Sequence, residues 1–167
     1  MSEDKTTEIL KSAILMEKNG QAFYEKVAQQ TSGEAVKRFF EMMASEENNH
    51  IRILSEQFKA YQENKAFNRN QFDAQPPSDI ATQVLSNEII GEISAATYEA
   101  AAISAAMSME ENAIKLYSAR AAAAADPNEK DLYSWLAEWE TQHLKFLADI
   151  DRELTQDIWF DQSFWPF

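Results

Sequence analysis

The chain has 167 residues, of which 45% are hydrophobic, and a formal net charge of −13. This length suffices for one domain with a sizeable buried core, while the charge argues against nucleic acid or an anionic membrane as a partner, because both are themselves negatively charged. The absence of cysteine excludes disulfides, Cys-ligated zinc and iron–sulfur or rubredoxin-type iron centres within these residues.

Two segments in the first half carry core-type residues three and four positions apart, which is the spacing of one helix face. In the first segment this stripe consists of Leu10, Ala13, Glu17, Gly20, Tyr24 and Val27. In the second it consists of Phe40, Met43, Glu47, His50, Leu54 and Tyr61. Thr31-Ser32-Gly33 separates the two segments, and Glu34 stands where a capping box from Thr31 requires it. Because the turn is short, we predict an antiparallel helical hairpin.

The segment that follows, from about Lys65 to Ser94, has a different character. It contains Pro76 and Pro77, and its helical periodicity is poor apart from a patch near Ile80–Leu85. A stretch of this length can span a long helix. We therefore predict a crossover connection over residues 65–94.

The second half repeats the pattern of the first. The third stripe consists of Ile103, Ala106, Glu110, Ala113 and Tyr117. The fourth consists of Tyr133, Leu136, Glu140, His143, Leu147, Ile150 and Leu154. Between them, Asp126 suits a helix N-cap and Pro127 the first helical position. The predicted fold is all-α: a four-helix bundle over residues 1–154, made of two antiparallel hairpins joined by the crossover, with an aromatic tail over residues 155–167.

Six residues within these stripes repeat at one fixed offset of 93 positions. They are Glu17, Glu47 and His50 in the first half, and Glu110, Glu140 and His143 in the second. Their equal distances from the hairpin turns place them at one height in the bundle. Burying unpaired carboxylates costs at least several kcal/mol each, and two divalent cations would neutralise four of them. The pattern therefore predicts a two-metal site formed by these six side chains.

The ligand types narrow the choice of metal. A Glu and a His three positions apart lie on one helix face, so each Glu-x-x-His can chelate one ion, and each lone glutamate can bind or bridge. Carboxylate oxygen with one imidazole per ion suits iron or manganese better than copper or structural zinc.

Four further residues lie close to this set. Tyr24 and Tyr117 each follow a lone glutamate by seven positions. Their hydroxyls could therefore hydrogen-bond a ligand carboxylate on a neighbouring helix or be redox-active. The alternative is that both are ordinary core aromatics whose hydroxyls are satisfied elsewhere. Glu46 and Trp139 precede the two chelating glutamates. We expect Glu46 to be solvated and Trp139 to pack against another element, although this asymmetry could also make the two metal positions unequal.

Four stretches resemble the ferritin-like superfamily, and within it the rubrerythrin branch. They are Ala13–Tyr24, Met43–His50, Ser108–Tyr117 and Leu136–His143. The resemblance implies a ferritin-like bundle with two iron ions, manganese being the alternative. It also implies that the protein is an enzyme that reduces hydrogen peroxide and that it could react with dioxygen as a further oxidant. The rubredoxin-like domain is absent, so the electrons would come from an external donor protein.

One departure from that branch concerns the space beside the metals. Rubrerythrins commonly carry an extra glutamate one turn after the third-helix ligand, where this chain has Ala113, and the repeat mate of that position is Gly20. We expect these small residues to leave room for the oxidant.

Other functions and partners remain open at this stage. The same ligand set would serve a ferroxidase that handles iron in a hollow oligomer, a dimanganese catalase-like protein, or, without metal, a structural bundle. The first residues lack a signal-peptide layout and no apolar run approaches a membrane span, so we expect a cytoplasmic protein. We expect a homodimer, with the aromatic tail packed on its own bundle or at the subunit interface.

Overall fold

Helices account for nearly all of the residues that this computed structural model describes, which are 2–69, 87–93 and 98–160, the side chains of 2–4 and 157–160 excepted. They are α1 (Ser2–Gln30), α2 (Glu34–Asn64), α3 (87–92), α4 (Tyr98–Ala123) and α5 (Pro127–Phe160). No strand occurs in the described ranges, so the all-α prediction is confirmed. The predicted patch near Ile80–Leu85 lies outside them.

The four long helices form two hairpins that close on each other. Helix α1 packs along α2 and α4 along α5, and contacts between α1 and α4 join the hairpins. Short turns connect the helices within each hairpin, so the two helices of a pair run antiparallel.

Two apolar clusters fill the bundle, and the six repeated residues lie between them. One cluster is centred on residues such as Tyr24, Phe40 and Ile103, and the other on residues such as Leu10, Leu54 and Leu136. Along each long helix, the repeated Glu and His positions fall between the members of these two clusters. The polar layer is therefore walled by hydrophobic side chains at both ends.

The start of α2 differs from the sequence prediction. Its N-cap is Gly33, which makes no side-chain cap hydrogen bond, and the Thr31 hydroxyl donates instead to Glu99 at 3.0 Å. The carboxylate of Glu92 accepts hydrogen bonds from the backbone N–H groups of Ala35 at 2.9 Å and Val36 at 3.1 Å. The predicted capping box was wrong because a carboxylate from α3 satisfies the free amides and the positive end of the helix dipole.

The start of α5 agrees with the prediction. The Asp126 carboxylate accepts a hydrogen bond from the Asn128 backbone N–H at 2.8 Å, as an N-cap residue does. Glu129, in the first turn of α5, forms an ion pair with Arg120 of α4 at 2.5 Å. This ion pair connects the two helices next to their turn.

At its other end, α5 continues past residue 154 to Phe160, so helical backbone extends into the segment predicted as the tail. The predicted packing of the tail aromatics lies outside the described side chains. None of the helices described is both long and apolar enough to cross a membrane.

Candidate metal centre

The structure brings all six repeated residues together in the middle of the bundle. Helix α1 contributes one glutamate, α4 another, and α2 and α5 a Glu-x-x-His each. None of the six is more than 4% exposed. They are Glu17, Glu47, His50, Glu110, Glu140 and His143.

These residues form two overlapping groups of four, in each of which the ligand atoms lie within 4.8 Å of one another. The first group is Glu17, Glu47, His50 and Glu140, and the second is Glu47, Glu110, Glu140 and His143. Glu47 and Glu140 belong to both groups, whereas each lone glutamate belongs to one. The sequence left open which glutamates bridge, and the geometry favours the two from the Glu-x-x-His motifs.

Both imidazoles point Nδ1 at the carboxylates. His50 Nδ1 lies 2.9 Å from Glu140 Oε1, 3.3 Å from Glu17 Oε2 and 3.5 Å from Glu47 Oε2. His143 Nδ1 lies 3.0 Å from Glu140 Oε2, 3.6 Å from Glu110 Oε1 and 3.8 Å from Glu47 Oε1. Each imidazole therefore faces one of the two groups through the same nitrogen.

The carboxylates of the six residues carry more negative charge than the two imidazoles can neutralise, and this excess shifts the pKa values of several of these residues. Burial disfavours a charged imidazole, but the surrounding carboxylates outweigh it and raise the pKa of His50 and His143. Burial, followed by repulsion from Glu140, raises the pKa of Glu110 to about 7 and that of Glu47 well above its usual value. The interior of the bundle thus requires positive charge, from protons or from metal ions.

Glu140 is the exception among the carboxylates. Burial alone would raise its pKa, but the two imidazoles outweigh burial and lower the pKa. Glu140 therefore retains its negative charge between the two groups, as a bridging ligand must.

Two buried atoms of the centre have no hydrogen-bond partner among the described residues, namely His50 Nε2 and Glu140 Oε1. Glu140 Oε1 is close enough to His50 Nδ1 for an ion pair but lacks hydrogen-bond geometry, so its coordinating capacity is unused. Four carboxylates and two imidazoles also supply four negative charges, which two divalent cations balance. The donor set therefore fits two iron or two manganese ions.

Two tyrosines link the lone glutamates across the hairpins. The Tyr24 hydroxyl of α1 donates to Glu110 Oε1 of α4, and the Tyr117 hydroxyl of α4 donates to Glu17 Oε1 of α1. Burial, reinforced by the glutamate charges, raises both tyrosine pKa values well above 10.0, so the hydroxyls remain protonated donors. Of the alternatives that the seven-residue spacing left open, the contact with a ligand carboxylate is the one observed, whereas a redox role for these tyrosines stays a prediction.

Glu46 was wrongly expected to be solvated. Its side chain is 16% exposed, its Oε2 contacts Nε2 of His143, and the same oxygen accepts a hydrogen bond from Trp139 Nε1 at 3.2 Å. Trp139 packs against another element, as predicted, with its ring edge-on to His50 at 5.6 Å. The signal that could have revealed Glu46 is its repeat mate, because both positions precede a shared glutamate and so face the other hairpin.

A small cavity of about 30 Å³ borders the carboxylates. Gly20 and Ala113 line it together with Tyr24, Met16 and Met109 and all four glutamates of the two groups. A Cβ atom at Gly20 would lie 3.5 Å from Cδ of Glu47, so a larger side chain there would take up this space. The room expected from the two small residues is present.

Comparison with known proteins shows which family the chain belongs to. The family model described as Rubrerythrin matches residues 8–151, a range that includes all six repeated residues and both tyrosines. Searches of curated proteins and of solved structures returned no significant match. The match covers most of the chain and agrees with the helical bundle and its buried Glu/His cluster, and we conclude that the chain belongs to the rubrerythrin family.

Proposed function

We propose that this protein is a di-iron oxidoreductase that reduces hydrogen peroxide, uses dioxygen as a slower oxidant and receives electrons from a donor protein. The observation that carries the proposal is the pair of buried ligand groups that share Glu47 and Glu140. A centre with two adjacent ions suits a two-electron reaction, because each ion changes its charge by one.

The reaction requires the oxygen–oxygen bond of peroxide to break while two electrons and two protons are taken up to give two waters. Two ferrous ions bound here would supply the electrons. Glu17 and His50 would hold one ion and Glu110 and His143 the other, with the two shared glutamates between them.

The other residues of the site orient and protect the ligands. Tyr24 and Tyr117 fix the lone glutamates and keep a proton next to each one. The apolar clusters on both sides exclude water, which strengthens the electrostatic interactions within the layer.

The cavity supports a small oxidant as the substrate. A cavity needs roughly 10–15 Å³ to hold one water molecule, so a volume of about 30 Å³ admits peroxide or dioxygen but not a large organic molecule. The extra glutamate that rubrerythrins commonly carry would occupy this space at position 113, where this chain has alanine.

The electron donor must lie outside these residues. The chain contains no cysteine, so it cannot itself form the Cys-ligated iron that would relay electrons to the centre.

The proposal is tested by mixing the protein, loaded with two ferrous ions per chain under nitrogen, with peroxide or with air-saturated buffer in a stopped-flow spectrometer. We expect peroxide to oxidise the iron much faster than dioxygen at equal concentration. Faster oxidation by dioxygen would contradict peroxide reduction and favour the ferroxidase alternative, which also requires a large hollow oligomer by light scattering.

Manganese is the second candidate metal, because the same oxygen and nitrogen donors accept it. Elemental analysis of protein purified from its native host separates the two. A predominance of manganese would replace the peroxidase proposal with peroxide disproportionation, in which the peroxide itself is both oxidised and reduced.

A further inference from the structure

The two halves of the metal centre are related by the repeat, but the residue that precedes the shared glutamate differs between them. Glu46 precedes the shared glutamate of α2, and Trp139 precedes the shared glutamate of α5. The two histidines, the glutamates of the ligand set and the two tyrosines, in contrast, have identical mates. This pair is therefore one place where the chain distinguishes the two halves.

The contacts of the two histidines differ accordingly. His143 has Nδ1 among the carboxylates and Nε2 against Glu46. His50 has Nδ1 in the same kind of surroundings, but its Nε2 has no hydrogen-bond partner in the part of the chain that the structure describes. The His50 ring packs edge-on against two indole rings, those of Trp135 and Trp139, each with its centroid 5.6 Å from that of the imidazole.

Glu46 is itself held in place. It lies on α2 and reaches across to α5, where Trp139 Nε1 donates to it at 3.2 Å. The indole N–H and the imidazole thus converge on the same carboxylate oxygen, Oε2. At 16% exposure, this carboxylate is shielded enough for a directed hydrogen bond to persist.

We propose that Glu46 is a positioning residue that makes the two metal positions unequal, so that the position served by His143 binds a divalent cation more tightly than the position served by His50. The Nε2–H of His143 donates to Glu46, which leaves the lone pair of Nδ1 directed at the second ligand group. A carboxylate on the outer nitrogen of a metal-binding imidazole also makes the inner nitrogen more basic. On the Nε2 side of the His50 ring, the described residues provide packing but no hydrogen-bond acceptor.

The inference rests on the proposed two-metal centre but not on the choice of oxidant. Loss of such a carboxylate partner costs about 10- to 100-fold in metal affinity. This cost should fall on one position only, which distinguishes a directed contact from a general loosening of the bundle.

The test measures Co(II) affinity by calorimetry on the metal-free full-length protein, in two single-site backgrounds. His50→Ala leaves the position served by His143, and His143→Ala leaves the position served by His50. Into each we introduce Glu46→Ala, Glu46→Gln, and Glu111→Ala as a matched control, because Glu111 also adjoins a ligand glutamate but is exposed. Circular dichroism establishes that each variant is folded.

With His50→Ala, we expect Glu46→Ala to weaken Co(II) binding by about 10- to 100-fold, and Glu46→Gln to weaken it less, because the amide oxygen still accepts the hydrogen bond. With His143→Ala, neither substitution should change the affinity, and Glu111→Ala should be silent in both backgrounds. Equal losses in the two backgrounds, or no loss in either, would overturn the inference. Wild-type protein that binds no Co(II) would instead refute the metal centre itself.

Discussion

At the scale of single residues, the centre depends on groups that hold ligands without belonging to the ligand set. Each lone glutamate is fixed by a tyrosine from the other hairpin, so the hydrogen bond that orients a ligand also joins the two halves of the bundle. A ligand carboxylate oriented in this way does not have to reorganise when an ion binds.

Tyr24→Phe and Tyr117→Phe test this role. Each removes a donor from a buried carboxylate, and we expect a loss of about 1–3 kcal/mol in the unfolding free energy of the metal-free protein, together with slower oxidation of the ferrous centre by peroxide. Urea denaturation and stopped-flow absorbance provide the two measurements.

Tyr133→Phe is the matched control for these variants. The Tyr133 ring stacks on Tyr117, but its buried hydroxyl has no hydrogen-bond partner in the described part of the chain, so its removal should be neutral or slightly stabilising. If all three substitutions have the same effect, the tyrosines contribute only packing.

The residues of the site differ in how far the sequence could predict them. The six repeated residues could be identified because charged side chains at core spacing in two copies have few physical explanations. The role of Glu46 was missed, because its position at the edge of the stripe is compatible with solvent, and its repeat mate Trp139 indicates only that the position faces the other hairpin. Its burial depends on how closely α5 of the other hairpin approaches, which the sequence of α2 does not determine.

At the scale of the helices, two small residues create the cavity beside the carboxylates. Gly20 of α1 and Ala113 of α4 both line it. Glycine inside a helix costs about 1 kcal/mol relative to alanine, so the small residue at position 20 has an energetic cost that access to the centre would explain.

Ala113→Leu tests the cavity. Its larger side chain should fill the space and slow the oxidation of the ferrous centre by peroxide at least several-fold, while overpacking costs about 1–3 kcal/mol of stability. The variant is compared with Ala105→Leu, on an exposed face of the same helix, by stopped-flow kinetics at equal iron content. Unchanged turnover in Ala113→Leu would show that the cavity is not the route of the oxidant.

The N-terminus of α2 gives a second prediction at this scale. Because Glu92 satisfies two backbone amides there, Glu92→Ala should destabilise the protein by about 0.5–2 kcal/mol. Glu88→Ala, in the same short helix, removes only an exposed ion pair with Arg38 and should cost less than about 1 kcal/mol. Urea denaturation compares the two, and equal losses would contradict the capping role of Glu92.

The four long helices were predictable, but the short helix α3 at 87–92 and the cap it provides were not. Periodicity within each stripe is a local property, and Asp126 caps α5 from the adjacent position. Glu92 caps α2 from 57 residues away in sequence, and this contact depends on where the crossover packs. Long-range contacts of this kind require the tertiary structure.

At the scale of the whole molecule, the unbalanced carboxylates of the polar layer determine how stability responds to pH. In the metal-free protein, burial and the charge of Glu140 raise the pKa of Glu110 from 4.5 to about 7, and carboxylates raise the pKa of both histidines above 6.5 despite burial. The folded state therefore binds more protons than the unfolded state across this range, so raising the pH favours unfolding.

We therefore expect the metal-free protein to lose stability as the pH rises from about 4.5 to 7 through Glu110, and further above 6.5 as the histidines lose their protons. The lowered pKa of Glu140 opposes this trend only on the acid side, where its stabilising contribution is lost as the pH falls. Urea denaturation across this range measures the slope, and Glu110→Gln should flatten the part below pH 7.

The metal-loaded protein should respond in the opposite way, because ions displace these protons and bind more tightly as the pH rises. Bound ions also stabilise the folded state in proportion to the logarithm of their concentration over the dissociation constant. A metal-free protein whose stability increases from pH 5 to 8 would contradict this account of the polar layer.

The central claim is that the buried carboxylates and imidazoles of the two hairpins bind two cations between them. The most direct measurement is anomalous diffraction at the iron edge from crystals soaked anaerobically in ferrous iron. We predict two peaks in each chain, both in contact with Glu47 and Glu140, one beside His50 and the other beside His143. Crystals with no peak in this layer, or with iron only on surface carboxylates, would contradict the claim.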